Sequence, residues 1–136
     1  MADGYALALQ AAVILALKAD AGVTELIESR VYDQPPQSAT RPYIRIGAIE
    51  VRPLRSDCGR AATVTFGIEA HSRPNTSGRL QATRCAEAIS AALDGVPINL
   101  VGFRLVQIQW LTQEVTPDSD AKSYTAIVGF SAIIDG

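Results

Sequence analysis

Apolar residues recur at helical spacing from Tyr5 to Ala19, where Leu7, Ala11, Ile14 and Leu17 make one stripe that Leu9 and Val13 widen. Asp3 stands where an N-cap is wanted and Asp20-Ala21-Gly22 supplies a stop, which predicts one helix over this stretch. Gln10 and Lys18 are its only long polar side chains, so the helix is expected to be covered on more than one side. A shorter helix, Val23 to Ser29, follows and carries Leu26 and Ile27. Then Arg30-Val31-Tyr32-Asp33-Gln34-Pro35-Pro36 breaks the pattern. Proline lacks a backbone donor, fixes φ and pushes the residue before it to extended geometry. The chain therefore leaves the helix through a rigid corner and enters a strand directly after Pro42.

From there the period changes to two. Strand one is predicted over Tyr43 to Arg52, with Ile44, Ile46 and Ala48 on one face and Ile49 and Val51 on the other. That change of phase beside Gly47 predicts a bulge or bend. The polar stretch Pro53 to Arg60 reads as a hairpin tip. Strand two is the most regular element: Ala62, Val64, Phe66, Ile68 and Ala70 alternate with Thr63, Thr65, Gly67, Glu69 and His71. A turn-rich loop, Ser72 to Gly78, leads to a helix over Arg79 to Leu93, whose buried face is Ala82, Cys85, Ala86, Ile89 and Leu93. Ser77 or Thr76 is its candidate cap and Gly95 its terminator. Strand three, Phe103 to Glu114, puts Val106, Ile108, Trp110 and Thr112 on one face and Gln107, Gln109 and Leu111 on the other. Strand four, Lys122 to Ile134, has Tyr124, Ala126, Val128, Phe130 and Ala132 on one side.

Sequential strands joined by loops pair antiparallel by default, and the helices collect on one face. The expected fold is a two-layer α+β sandwich, an antiparallel sheet of about four strands with two long helices on one face. No repeat or linker divides the 136 residues, so residues 1–136 read as one domain.

Composition narrows the function. A formal charge of −2 gives no global attraction to nucleic acid or to an anionic membrane. Ten of the twelve basic residues are arginine, a bias that suits interfaces and that codon usage in a high-GC genome also produces. Cys58 and Cys85 are too few for a disulfide framework and lack metal-site spacing; Cys85 reads as a small core residue. Leu7 to Leu17 is too short to span a bilayer and has no basic region before it, so the expected compartment is the cytoplasm with reduced thiols.

Candidate chemistry is sparse. Nucleophilic catalysis would have to use the single histidine, His71, whose nearest partners Ser72 and Asp57 have no nucleophile-elbow context. Asp118 and Asp120 sit in a turn where aspartates serve the backbone through Asx hydrogen bonds. Glu25 and Glu28 read as solvated, and neither acidic pair has the further ligands of a metal site. With no phosphate loop, zinc spacing or dinucleotide fingerprint, the expectation is a non-enzyme with no cofactor and no metal. A hairpin would gather Arg45, Arg52, Arg55 and Arg60, which could meet a nucleic-acid backbone, a neighbouring subunit's carboxylates, or only solvent. No aromatics interleave with them, which argues against stacking on single strands.

The order of elements resembles the phage tail-completion or tail-terminator family. Three segments carry the resemblance: Leu7 to Val13 with Thr24-Glu25-Leu26-Ile27, the Arg30–Pro36 corner leading into Arg41-Pro42-Tyr43-Ile44-Arg45-Ile46-Gly47, and Ala82 to Leu93 with Gly95 before Gly102-Phe103-Arg104-Leu105-Val106. The resemblance implies a virion structural protein of the tail, assembled in the host cytoplasm. Its copies would close into a ring, a hexamer, at the head-proximal end of the tail tube. Such a ring stops tube polymerisation, joins the head connector or stopper protein, and lets double-stranded DNA pass through its lumen without sequence recognition. Prophages and gene-transfer agents use the same module. The family brings no catalytic residues.

A ring built by one repeated contact needs two different complementary patches on each subunit. The off-parity apolar residues Ile49, Val51, Leu111, Ile127 and Ile133 are candidates for one patch, and the over-apolar first helix for the other. Coverage of both sheet faces within the monomer would explain the same residues. Two other readings stay open: a head-side stopper or connector subunit, and a small-ligand-binding or enzymatic α+β domain, which would need a concave pocket with convergent polar groups.

Overall fold

The computed structural model describes residues 4–56 and 59–136. Its elements are α1 (Tyr5–Ala19), α2 (Ala21–Ile27), β1 (Val31–Tyr32), β2 (Tyr43–Ser56), β3 (Gly59–His71), α3 (Gly78–Leu93), β4 (Arg104–Pro117) and β5 (Tyr124–Asp135). The strands make a five-stranded mixed sheet in the order β1-β2-β3-β5-β4. The expected α+β sandwich is present, and the short helix expected over Val23 to Ser29 is α2, which begins and ends two residues earlier. The sheet differs in having a fifth, parallel strand from the Arg30–Pro36 corner, because Val31 and Tyr32 pair parallel to Ile44 and Arg45. The proline-stiffened connection brings the chain back alongside the start of β2, where two residues suffice to pair.

Helix ends follow local chemistry. Asp20 closes α1 and also opens α2, where its carboxylate accepts the backbone N–H of Val23 at 3.0 Å. The N-cap of α1 is Gly4, and Asp3 lies outside the described residues. Ser77 caps α3 without a side-chain bond, and Gly95 follows with φ of +69°, the left-handed geometry that terminates helices.

One face of the sheet is packed and the other is bare. On β3, Ala62, Val64, Phe66, Ile68 and Ala70 are buried, and on β5, Ala126, Val128, Phe130, Ala132 and Ile134 are buried opposite them. Phe66 and Phe130 stack at the centre with rings 5.4 Å apart. From the helices, Leu9, Val13, Leu17, Val23, Ile27, Ile89 and Leu93 complete one continuous core. The inward stripe of α1 differs from the periodicity reading, since Ala8, Leu9, Ala12, Val13 and Leu17 are buried while Leu7 and Ala11 face out. An almost uniformly apolar helix offers several stripes of equal hydrophobicity, and packing against the sheet selects one.

Two strands carry bulges. In β2 the register with β3 shifts between Ile46 and Ile49, as the phase change beside Gly47 predicted. In β4 it shifts twice, between Leu105 and Gln107 and between Trp110 and Thr112, so the uniform alternation expected for that strand does not hold.

Candidate subunit interface

The five apolar residues expected to form one patch are divided between the two faces. The β2 bulge corrects the side assigned to Ile49 and Val51. Ile49 now pairs with Phe66 and Val51 with Val64, which turns both toward the helices. Ile49 packs against the core, and Val51 sits at its margin. Leu111, Ile127 and Ile133 do lie on the bare side. Ile127 is exposed between Glu69 and Glu114, while Ile133 is half-buried between Thr63 and Gln107. Leu111 is the extra residue of the second β4 bulge and is 50% exposed.

Arg45, Arg52 and Arg60, the arginines of the expected hairpin whose side chains are described, do not gather as one cluster. Arg45 and Arg52 stand on the bare face opposite Glu69 and Thr63. Arg52 is engaged by Glu50 at 2.6 Å, and the Nε of Arg45 is buried with no hydrogen-bond partner among the described residues. Arg60 is exposed and falls on the helix side by strand alternation from Ala62. The backbone of Arg55 pairs with that of Arg60; its side chain, like Asp57 and Cys58, lies outside the described part.

His71 ends β3 half-buried, with Nε2 3.0 Å from Glu69 Oε1 and Nδ1 3.2 Å from Thr125 Oγ1. Tyr43 stacks on its ring at 4.9 Å. Thr125 in turn donates to Asp118 Oδ1 at 2.6 Å, and Ser123 donates to Asp118 at 2.7 Å. Partial burial raises the carboxyl pKa of Asp118, but these two hydroxyls and the Arg41 guanidinium outweigh it and hold the group below the usual range. Asp120 accepts the backbone N–H groups of Ser123 and Lys122, which lowers its pKa too. The Asx expectation thus holds for Asp120, whereas Asp118 serves side-chain hydroxyls instead. Each hydroxyl of the cluster is bonded to a carboxylate, so the arrangement fastens the β4–β5 turn to the end of β3.

Two surfaces take their shape only from the structure, though the first helix and part of the sheet were candidate patches from the sequence. The first is the outward side of α1, where Leu7, Ala11, Leu15 and Lys18 are exposed at intervals of three and four residues. Beside it lies an open apolar groove of about 450 Å³ lined by Leu15, Ala16, Ala19, Val96, Pro97 and Ile98. The second is a trough of about 580 Å³ across the bare sheet face, lined by Ala48, Thr65, Gly67, Leu111, Thr112 and Gly129 among others. Its floor forms because Gly67 and Gly129 oppose each other on the two central strands. Two glycines inside strands were the available signal, since an interior strand glycine marks close approach by something else.

The middle of edge strand β4 is a poor candidate for joining copies. In the middle of β4, Gly95 N–H donates to Ile108 O, Asp94 accepts the Trp110 N–H, and the Trp110 indole donates to Thr112 O. These bonds occupy the outward backbone groups that an added strand would need. No single helix among the described residues is long and apolar enough to cross a membrane, and these residues contain no group of three or more His, Cys, Asp or Glu placed to hold a metal.

The profile of the family Tail completion protein gp17 matches residues 11–135. This chain belongs to that family. A chain in a solved structure of the virion of a native gene transfer agent particle is 30% identical, covers 99% of this chain and 100% of its own length, and superposes with a TM-score of 0.88. No curated protein matches. Membership makes the chain a phage tail structural protein.

Proposed function

We propose that this chain is a ring-forming tail terminator. Its copies close into a collar, a hexamer, on the head-proximal end of the tail tube, stop the tube from growing, and present a surface to the head connector. Double-stranded DNA passes through the lumen without base recognition. The role is structural and requires no cofactor. The observation that carries this reading is the pair of unpartnered surfaces on opposite layers of one subunit, in a chain whose whole length resembles a virion component. Different patches on opposite layers favour a heterologous contact, the kind that closes into rings.

Particles assembled without this chain should carry tails of irregular length. Negative-stain images of the purified protein mixed with tail tubes should show a collar at one tube end. Tails of regulated length in its absence would sink the proposal. Capture of head components but not of tubes would move the chain to a head-side stopper.

A further inference from the structure

We infer that the joint between neighbouring copies is made by the α1 ridge of one subunit seated in the sheet trough of the next. This rests on the ring reading and names the surfaces that would build it. The dimensions agree. From Leu7 to Leu15 the ridge runs about 12 Å along the helix axis. The trough crosses β2, β3, β5 and β4, and the spacings between these strands sum to about 14 Å.

Shape agrees as well. The two opposed glycines leave the centre of the face without side chains, and bulges in both flanking strands fall level with them. Ala48 belongs to the β2 bulge, beside the position where Gly67 sits between Phe66 and Ile68. Leu111 is the bulged residue of β4 next to Thr112, which pairs with Gly129. The result is a channel running across the strands, with apolar contact available from Ala48, Leu111 and Ile127. A helix whose outward side is Leu7, Ala11 and Leu15 fits such a channel.

Charge fixes the direction. From Tyr5 to Ala19 the helix has no acidic residue, and its one charge is Lys18, in line with the ridge at its last turn. Glu114 stands on the bare face one alternation beyond Thr112, opposite Ile127. Neither Lys18 nor Glu114 has an ion-pair partner among the described residues. Seating Leu15 near Leu111 brings the ammonium toward the carboxylate.

Because the two halves of the joint lie on different layers, they can be broken separately. Leu15→Asp removes the ridge and keeps the trough; Leu111→Asp does the reverse. Both residues are exposed, so both variants should fold, which circular dichroism and thermal melting check. At a concentration where the wild-type chain forms rings, alone or on tail tubes, each variant should run as a monomer by size-exclusion chromatography with light scattering. An equal mixture of the two should give dimers and nothing larger, because only one ridge and one trough remain. Lys18→Glu and Glu114→Lys should each weaken the ring at least tenfold, and the double exchange should restore it. Rings formed by either Asp variant, or a mixture that stays monomeric, would overturn this joint while leaving the ring itself standing. A wild-type chain that forms no ring on its own or on tubes would overturn both.

Discussion

Asp94, the residue that closes α3, accepts the backbone N–H of Trp110 in the edge strand β4 at 2.9 Å, so one carboxylate ties the helical layer to the margin of the sheet. It occupies a donor that would otherwise be open to another chain. Asp94→Ala should lower unfolding free energy by about 1 kcal/mol, the net value of one such bond at an exposed site. Urea titration measures that loss. Light scattering should also record more concentration-dependent self-association in the variant, because the freed edge can template pairing.

Acid should loosen the β4–β5 turn. The carboxyls of Asp118 and Asp120 are held below their ordinary range in the folded chain, so the folded state binds protons less readily than the unfolded one. Their contribution is complete above the unfolded value near 4 and is lost as pH falls through the lower folded values. The melting temperature should therefore be level from neutral pH to about pH 5 and should decline below about pH 4. Asp118→Asn should melt lower at pH 7 and lose less on acidification. An equal acid decline in the variant would show that Asp118 is not the group responsible.

Gly129 and Thr112 form a dependent pair. A Cβ on residue 129 would stand 2.6 Å from Thr112 Oγ1, with the Thr112 Cβ no nearer than 3.9 Å. The conflict is thus with the hydroxyl alone. Gly129→Ala should cost about 1–3 kcal/mol as an overpacked contact. Adding Thr112→Ala should return most of that loss, giving a clear coupling energy in a double-mutant cycle.

Cys85 lies in the buried face of α3, and burial pushes its thiol pKa up to about 11. The thiolate is the reactive form, so the native protein should leave Cys85 unmodified by iodoacetamide at pH 8. Peptide mapping after denaturation should show full modification. Rapid native labelling of Cys85 would contradict its place in the core.

The helix and strand calendar was legible because each element repeats its period for long enough. Ala62 to Ala70 alternates without interruption, and these residues are buried as that alternation requires. The Arg30–Pro36 corner was read as extended but not as a strand, since the partners of Val31 and Tyr32 lie thirteen residues further on. The bulge beside Gly47 was visible as a change of phase, but its effect on Ile49 and Val51 was not. Extra residues turn a strand over only relative to a neighbour, and the neighbour's register is not written locally. In β4 the two bulges left no mark in the period, and Leu111 reached the outer side through one of them.

By itself the sequence determined the order of elements, the α+β class, the buried stripes of β3, β5 and α3, and the resemblance to tail-completion proteins, because these depend on neighbours along the chain. Tertiary structure decided which stripe of α1 turns outward, that Gly67 meets Gly129, and that Asp94 guards the sheet edge. Those facts depend on residues distant in the chain and brought together only by strand register and layer packing. The surfaces proposed for assembly are of that second kind.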